Sequence, residues 1–417
     1  MEEKRIKILT LGDMPLATSG VGNQTKYVVD ALLESGKFEV FSLGGAMKHP
    51  QYNLIKTDKW GDLWKILPVD QFGSKELLRS IIWKEKPDII WFMTDPRFWG
   101  WLWEMDNEIR ENIPMVYYHV WDNYPYPTFN RGFYLSNDHI ACISKLTYDI
   151  VQTVAPEVDS SYIPHAVNGD IFKPHSTEEV KGWRISKQLD GKFVCFWNSR
   201  NARRKQSGTL IWWFKEFLDK VGHDKACLIM HTDVKDPNGQ DLEVIIHELG
   251  LTNGEVLFSR DKVNAADLAG MYNMADVTIC ISDAEGFGLS TLESLSCGTP
   301  ILVNMTGGLQ DQVTDGEKFF GIGLQPTSKA IIGSQQVPFI YEDRLNKDDF
   351  INALTELYEM TPEARRELGV AGRAWSEDLF GFDKFVQAWD NLFTSIYEEK
   401  GSWEDRKGYN SYEVKVF

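Results

Sequence analysis

The chain has 417 residues, 43% of them hydrophobic and 13% aromatic, enough to bury two substantial cores when single domains run to about 100 to 200 residues. Its formal net charge of -17 and pI near 5.0 argue against nonspecific attraction to phosphate backbones or anionic lipid, both of which normally require a basic surface. Neither half is basic: residues 1–166 hold 17 Lys and Arg against 22 Asp and Glu, and the remainder 27 against 39.

The N-terminal Met1-Glu2-Glu3-Lys4-Arg5 leads straight into the apolar run Ile6 to Leu11. That run is too brief for a signal-peptide core or a membrane span, so it reads as the first strand of a cytoplasmic protein. From there, short apolar runs alternate with helical patterns, the signature of parallel sheets covered by helices. In the first half the predicted strands are Lys7 to Leu11, Phe38 to Leu43, Asp88 to Met93, Met115 to Val120 and His139 to Ile143, with helices near 22–35, 74–85 and 145–154. Pro164 to Asp190, with Pro174 and a polar run, breaks the pattern. It restarts with strands Phe193 to Trp197, Ala226 to His231, Glu255 to Phe258, Val277 to Ile281 and Pro300 to Val303, separated by helices near 207–220, 240–249 and 264–274. After about 347 the chain reads as helical to roughly 398, and the tail Gly401 to Phe417 has no periodicity.

The class is therefore α/β, with an N-terminal Rossmann-like domain over 1–166, a linker over 167–190 and a second Rossmann-like domain over 191–380. A final helix and tail over 381–417 are expected to cross back to the first domain, and the ligand cleft is expected between facing parallel sheets. Five cysteines, Cys142, Cys195, Cys227, Cys280 and Cys297, include no C-x-x-C pair, and four sit in predicted strands. They read as small buried hydrophobes rather than disulfides or metal ligands.

The most informative stretch runs from Ser282 to Pro300 and contains Glu285-Gly286-Phe287-Gly288-Leu289-Ser290 and Glu293. A strand ends near Ser282, a glycine-rich turn lets backbone approach a ligand, and a helix starts near Leu289 with unpaired N–H groups. That is an anion-binding geometry. The dipole contributes only about 0.3 to 1 kcal/mol at exposed sites, so a bound diphosphate also needs cations. Arg200 and Lys205, in the basic cluster Asn198 to Lys205 after a predicted strand, are suitably placed at the sheet edge where ligands of parallel sheets bind. Glu285 and Glu293 are eight helical steps apart, about 12 Å at 1.5 Å each, beyond the roughly 5 to 9.5 Å of a hydrolytic carboxylate pair. The two acids suit hydroxyls at opposite ends of an elongated donor instead.

At these residues the chain resembles the large retaining GT-B group called glycosyltransferase family four, the glycosyl transferases group 1. Glu285 and Glu293 reproduce its E-x(7)-E signature around Gly286-Phe287-Gly288, and Cys297-Gly298-Thr299-Pro300 continues it in register. Arg200 and Lys205 fit its arginine and lysine pair, while Ile163 to Asp170 and Phe172-Lys173-Pro174 resemble its domain junction, with His165 departing from the usual asparagine. Gly307-Gly308-Leu309-Gln310-Asp311 resembles the following paired-glycine turn, with Asp311 in place of the commoner glutamate. The likeness is thinner in the first half, where Ser19-Gly20-Val21-Gly22 stands in for the glycine-rich loop and His119 falls on the family's histidine.

The resemblance implies a GT-B fold and transfer of a hexosyl or pentosyl group from a nucleotide diphosphate sugar, with retention and without a metal or cofactor. It places the diphosphate on Arg200, Lys205 and the backbone of Gly288, Leu289 and Ser290, with Gly20, Gly22, Gly286 and Phe287 as further donor-binding positions. Glu285 would contact the sugar, Glu293 the ribose, and His119 the donor sugar or acceptor. Trp121, Asp122, Tyr124 and Tyr126, in a Pro- and Asn-marked loop, are acceptor-side candidates, and Trp99, Trp101 and Trp103 could stack on a ligand or pack a core. The acceptor is open among a glycan, a protein, a small molecule and a modified nucleobase. Nucleic acid enters only as an acceptor, and no transmembrane segment is expected. Rival readings are a nucleotide-sugar epimerase or phosphorylase on the same fold, or a noncatalytic nucleotide-sugar-binding module.

Overall fold

A computed structural model describes residues 4–412, which form two compact units. The first comprises the chain up to Trp121, Tyr126–His165 and the residues from Asp383 onward; the second comprises Asp122–Pro125 and Ala166–Phe382.

The first unit is built on eight strands, β1 (Ile6–Asp13), β2 (Phe38–Gly45), β3 (Ile55–Lys56), β4 (Trp64–Pro68), β5 (Ile89–Met93), β6 (Met115–His119), β7 (His139–Cys142) and β8 (Ser160–Tyr162). Their order is β3-β4-β2-β1-β5-β6-β7-β8, parallel throughout except for the antiparallel β3–β4 pair. Helices on both faces make the central strands apolar along their whole length: every residue of β5 and β6 is buried. Ser19 caps the helix Gly20–Glu34 by accepting from the Gly22 N–H. The helix Phe382–Lys400 closes the sheet, with Trp389 edge-on to Trp91 at 5.8 Å and to Tyr118 at 4.8 Å. The tail, featureless in sequence, is held by directed bonds: Trp403 Nε1 donates to the Pro87 carbonyl at 2.9 Å, Arg406 pairs with Asp138 at 2.7 Å and Tyr412 donates to Asp106 at 2.6 Å. The stretch from 413 to 417 lies outside the described residues.

The second unit carries a six-stranded parallel sheet of β9 (Phe193–Asn198), β10 (Ala226–His231), β11 (Val256–Ser259), β12 (Val277–Cys280), β13 (Ile301–Asn304) and β14 (Ile322–Leu324), in the order β11-β10-β9-β12-β13-β14. Its core joins Trp197, Leu210, Phe214, Leu228, Ile279 and Leu354, none more than 1% exposed. An antiparallel hairpin, β15 (Ser328–Ile332) with β16 (Ile340–Arg344), follows. Residues 167–190, expected as linker, lie in this unit and hold the helix Thr177–Ser186, capped reciprocally by Ser176 and Glu179. The stretch expected to be helical from about 347 to 398 holds three helices, Lys347–Glu359, Pro362–Phe380 and Phe382–Lys400, with Pro362 starting the second and Gly381 ending it. All five cysteines are buried and free. Among the described residues no helix is long and apolar enough to cross a membrane.

Candidate active site

In the second sheet β9 continues to β10 on one side and neighbours β12 on the other. The strand order reverses at the β9/β12 pair, and loops leaving the carboxyl ends of such strands enclose the ligand crevice of an open α/β sheet. Those two loops are the basic cluster after Asn198 and the Glu285 turn.

The basic loop is fixed from within. Buried Asn201 donates to the Gln240 carbonyl at 2.7 Å and accepts from Ser207 Oγ at 2.7 Å. Gln206, in the left-handed region at φ 57°, begins the helix Ser207–Val221 and donates to Asp283 at 2.6 Å. The Asp283 N–H donates to the Arg204 carbonyl at 2.8 Å, lacing the two loops together. In consequence the Lys205 ammonium rests on the Glu285 carboxylate, and Arg204 Nη1 lies 3.5 Å from the same oxygen while donating to the Ala284 carbonyl.

The opposite side of the Glu285 turn is set by glycines. A Cβ on Gly307, at φ 51°, would stand 1.9 Å from the Glu285 carbonyl oxygen, and one on Gly308 would stand 2.6 Å from that of Gly286. The Gly308 N–H donates to the Glu285 carbonyl at 3.0 Å. Buried Gln312 donates to the carbonyls of Phe287 and Gly288 at 2.7 and 2.9 Å and accepts from Thr291 at 2.7 Å. Gly288, at φ 93°, then starts the helix Leu289–Ser296 with no side-chain cap, leaving its first N–H groups directed outward.

Burial works against the charge on Glu285, but the Lys205 ammonium and Arg204 guanidinium outweigh it and hold the carboxyl below its usual range. Among the described residues Glu293 has no such cations. Burial pushes its pKa up to about 7, against the opposing influence of a 2.6 Å hydrogen bond from the buried Tyr272 hydroxyl. Around the site, Arg344 pairs with Asp283, Arg203 takes Glu342 in a bidentate grip at 2.6 and 2.8 Å, and Asn123 donates to the Tyr341 carbonyl at 2.7 Å. The hairpin is thus bonded to the site's outer wall.

Residues 183–375 match the family model described as glycosyl transferases group 1. That segment belongs to the glycosyl transferases group 1. Among curated relatives, the D-inositol 3-phosphate glycosyltransferase of Streptomyces scabiei is 27% identical over 63% of this chain and 54% of its own length. The enzyme of the same name from Arthrobacter sp. is 34% identical over 26% of this chain and 25% of its own. The chain therefore spans about half or less of the length of these relatives. Among solved structures, sucrose-phosphate synthase from Thermosynechococcus elongatus superposes with a TM-score of 0.75 at 17% identity, covering 94% of this chain and all of that one. Anabaena HepE in complex with UDP and glucose gives 0.68 at 15%, with the same coverage. These likenesses show the GT-B fold.

Within the group 1 segment, the structure brings together Lys205, Glu285 and the turn Gly286 to Ser290 at one sheet edge, with Glu293 on the helix that follows. It does not bring Arg200 to them: the side chain is 63% exposed and pairs with Asp236 at 2.6 Å. His119 departs further from the expected ligand contact. It ends the fully buried β6, has no exposed surface, and its ring nitrogens meet the Tyr134 and Tyr117 hydroxyls at 2.8 and 3.2 Å. Burial lowers its pKa to about 3, so the ring is a neutral core group.

Gly20 and Gly22 open the first helix of the other unit. Gly22 is required for packing, because a Cβ there would lie 2.7 Å from the Met14 carbonyl. Trp121 is 5% exposed and packs edge-on to Phe129. Trp99 and Trp103 are core residues at 0% and 4%. Asp122 lies 3.9 Å from Arg204, and Tyr124 and Tyr126 are about a third exposed, at 36% and 37%. Sequence reasoning missed Arg204, Tyr272 and the hairpin. Arg204 could have been found in the same basic run as Lys205; the other two carry no sequence signal of their own.

Proposed function

We propose that this chain is a metal-independent retaining glycosyltransferase that takes a sugar from a nucleotide diphosphate donor. The reading rests on one observation: a Lys205–Glu285 pair beside an uncapped helix start, at the reversal point of a parallel sheet. Departure of the nucleotide diphosphate builds negative charge on phosphate oxygen and positive character on the sugar. Lys205 and the N–H groups of Leu289 and Ser290 are fixed before that charge develops and lower the barrier electrostatically. Glu285, kept ionised by its two cations, accepts hydrogen bonds from sugar hydroxyls. Arg200 joins them by leaving Asp236, the donor diphosphate replacing the carboxylate as its anionic partner. In a retaining transfer the departing phosphate takes the acceptor proton on the same face.

HepE has been solved with UDP and with UDP-glucose, which makes UDP-sugars the first probes. Thermal melts with UDP, GDP and ADP and their glucose or mannose conjugates test the donor. A ligand at 100 times its Kd adds about 2.7 kcal/mol, or roughly 5 to 10 °C for a unit of this size. No shift with any of them refutes the donor reading. With a donor in hand, release of nucleotide diphosphate together with a new glycoside supports transfer, whereas sugar phosphate or an epimerised donor overturns it.

A further inference from the structure

The buried hydroxyl of Tyr272 joins the two loops' supporting elements and has no part in the chemistry above. Tyr272 lies on the helix Ala265–Met274 and is fully buried, its ring edge-on to Phe196 at 5.0 Å and to Phe172 at 6.3 Å. Those contacts fix the ring, so the hydroxyl has one place to be. There it accepts from Asn198 Nδ2 at 2.8 Å and donates to Glu293 Oε2 at 2.6 Å. Asn198 is the last residue of β9, where the basic loop begins, and Glu293 lies one turn inside the helix whose start faces the ligand.

We propose that Tyr272 is a positioning residue for Glu293, its hydroxyl fixing the carboxylate's direction and favouring its ionised form for contact with a ligand hydroxyl. This rests on the donor reading for what Glu293 meets, but the contact itself does not. A donated hydrogen bond stabilises the carboxylate over the acid. Asn198, by donating to the tyrosine oxygen, obliges the hydroxyl to spend its single proton on Glu293. The helix bearing Glu293 packs against Ala265–Met274, Leu309–Val313, Pro362–Phe380, β12 and β13. From these and its own element, the titratable groups that bear on the carboxyl are Tyr272 and, just past its own helix, Cys297; Arg373 of Pro362–Phe380 acts on Cys297. Among the described residues no cation pairs with Glu293, so the tyrosine is its main support.

The test is Tyr272→Phe, which keeps the ring and removes the proton. Carboxyl titration of 13C-Glu-labelled protein, with the Glu293 signal assigned by its loss in Glu293→Gln, reads the contact without any ligand. The Glu293 midpoint is expected to rise by about one unit, a tenfold change in its ionisation equilibrium, and Asn198→Ala should move it the same way by less. Calorimetry with UDP, GDP and ADP should then show the variant's affinity loss to be larger at pH 6.5 than at about pH 9, where Glu293 is about nine-tenths or more ionised in both proteins. An unmoved midpoint in a folded Tyr272→Phe protein overturns the proposal. Failure of every nucleotide to bind wild type overturns the donor reading and leaves the titration to decide Tyr272.

Discussion

Replacing Lys205 by methionine removes one charge of a pair in which both side chains are nearly buried, Lys205 at 12% and Glu285 at 13% exposed. Removing one partner of a buried pair commonly costs about 3 to 5 kcal/mol, because the other charge is left without its counterion. Here Arg204 stays 3.5 Å from the same oxygen, with 38% of its side chain exposed and its attraction partly screened. The expected destabilisation of Lys205→Met is therefore about 1 to 3 kcal/mol, or roughly 2 to 12 °C in Tm at 2 to 4 °C per kcal/mol. Turnover should fall about 10²- to 10³-fold, the usual effect of deleting one preorganised group aimed at developing charge. The discriminating measurement is the double variant. Lys205→Met with Glu285→Gln removes the stranded charge, so it should melt higher than Lys205→Met alone while remaining inactive. Urea melts of the four proteins and turnover with the donor found by thermal screening complete the cycle. Additive stability losses would refute the reasoning, since they would mean that the two side chains do not depend on each other.

Gly307→Ala places its Cβ 1.9 Å from the Glu285 carbonyl oxygen, whereas at Gly316, φ 101°, nothing lies within 4 Å. Gly316→Ala should cost only the left-handed strain of about 1 to 2 kcal/mol and keep full activity, while Gly307→Ala should lose activity at least tenfold; equal activities in the two would show that the turn tolerates displacement. His119, His139 and His165 have pKa values lowered by burial to about 3, 4 and 3 from the ordinary 6.5. In that window the unfolded chain binds more protons, so their contribution is complete above about pH 6.5 and is lost as pH falls toward 3. Chemical denaturation between pH 8 and 4 should show this decline, and His119→Gln should flatten it; an unchanged slope would place the imidazole's titration elsewhere.

The sheets were legible because their strands are buried on both faces and so appear as uninterrupted apolar runs: Ala226–His231 is found at its expected bounds. The hairpin was not, because Ile331 is 68% exposed and its strands bury little, leaving no pattern to detect. The Glu285 turn could be read from its glycines: Gly288 takes a left-handed φ of 93°, and Gly307 and Gly308 stand against the turn's own backbone. Which cation serves it could not. Arg200, Arg203, Arg204 and Lys205 crowd one short run, and only the fold sends Arg200 to Asp236, Arg203 to Glu342 and the last two to Glu285. His119 shows the converse. Only the resemblance implies a ligand contact for it, whereas β6 lies inside the sheet and the Tyr134 and Tyr117 hydroxyls satisfy the ring.

The discontinuity of the first unit bears on the order in which the molecule is made. Its sheet is complete by residue 165, but Trp389, which covers Trp91 and Tyr118, is synthesised only after the whole of Ala166–Phe382. Most of the second unit, Ala166–Phe382, is therefore made while the first still shows bare indole and phenol rings to solvent. Chaperone capture and proteolytic nicking during translation should accordingly fall on the earlier half of the chain, and end when the last helix emerges.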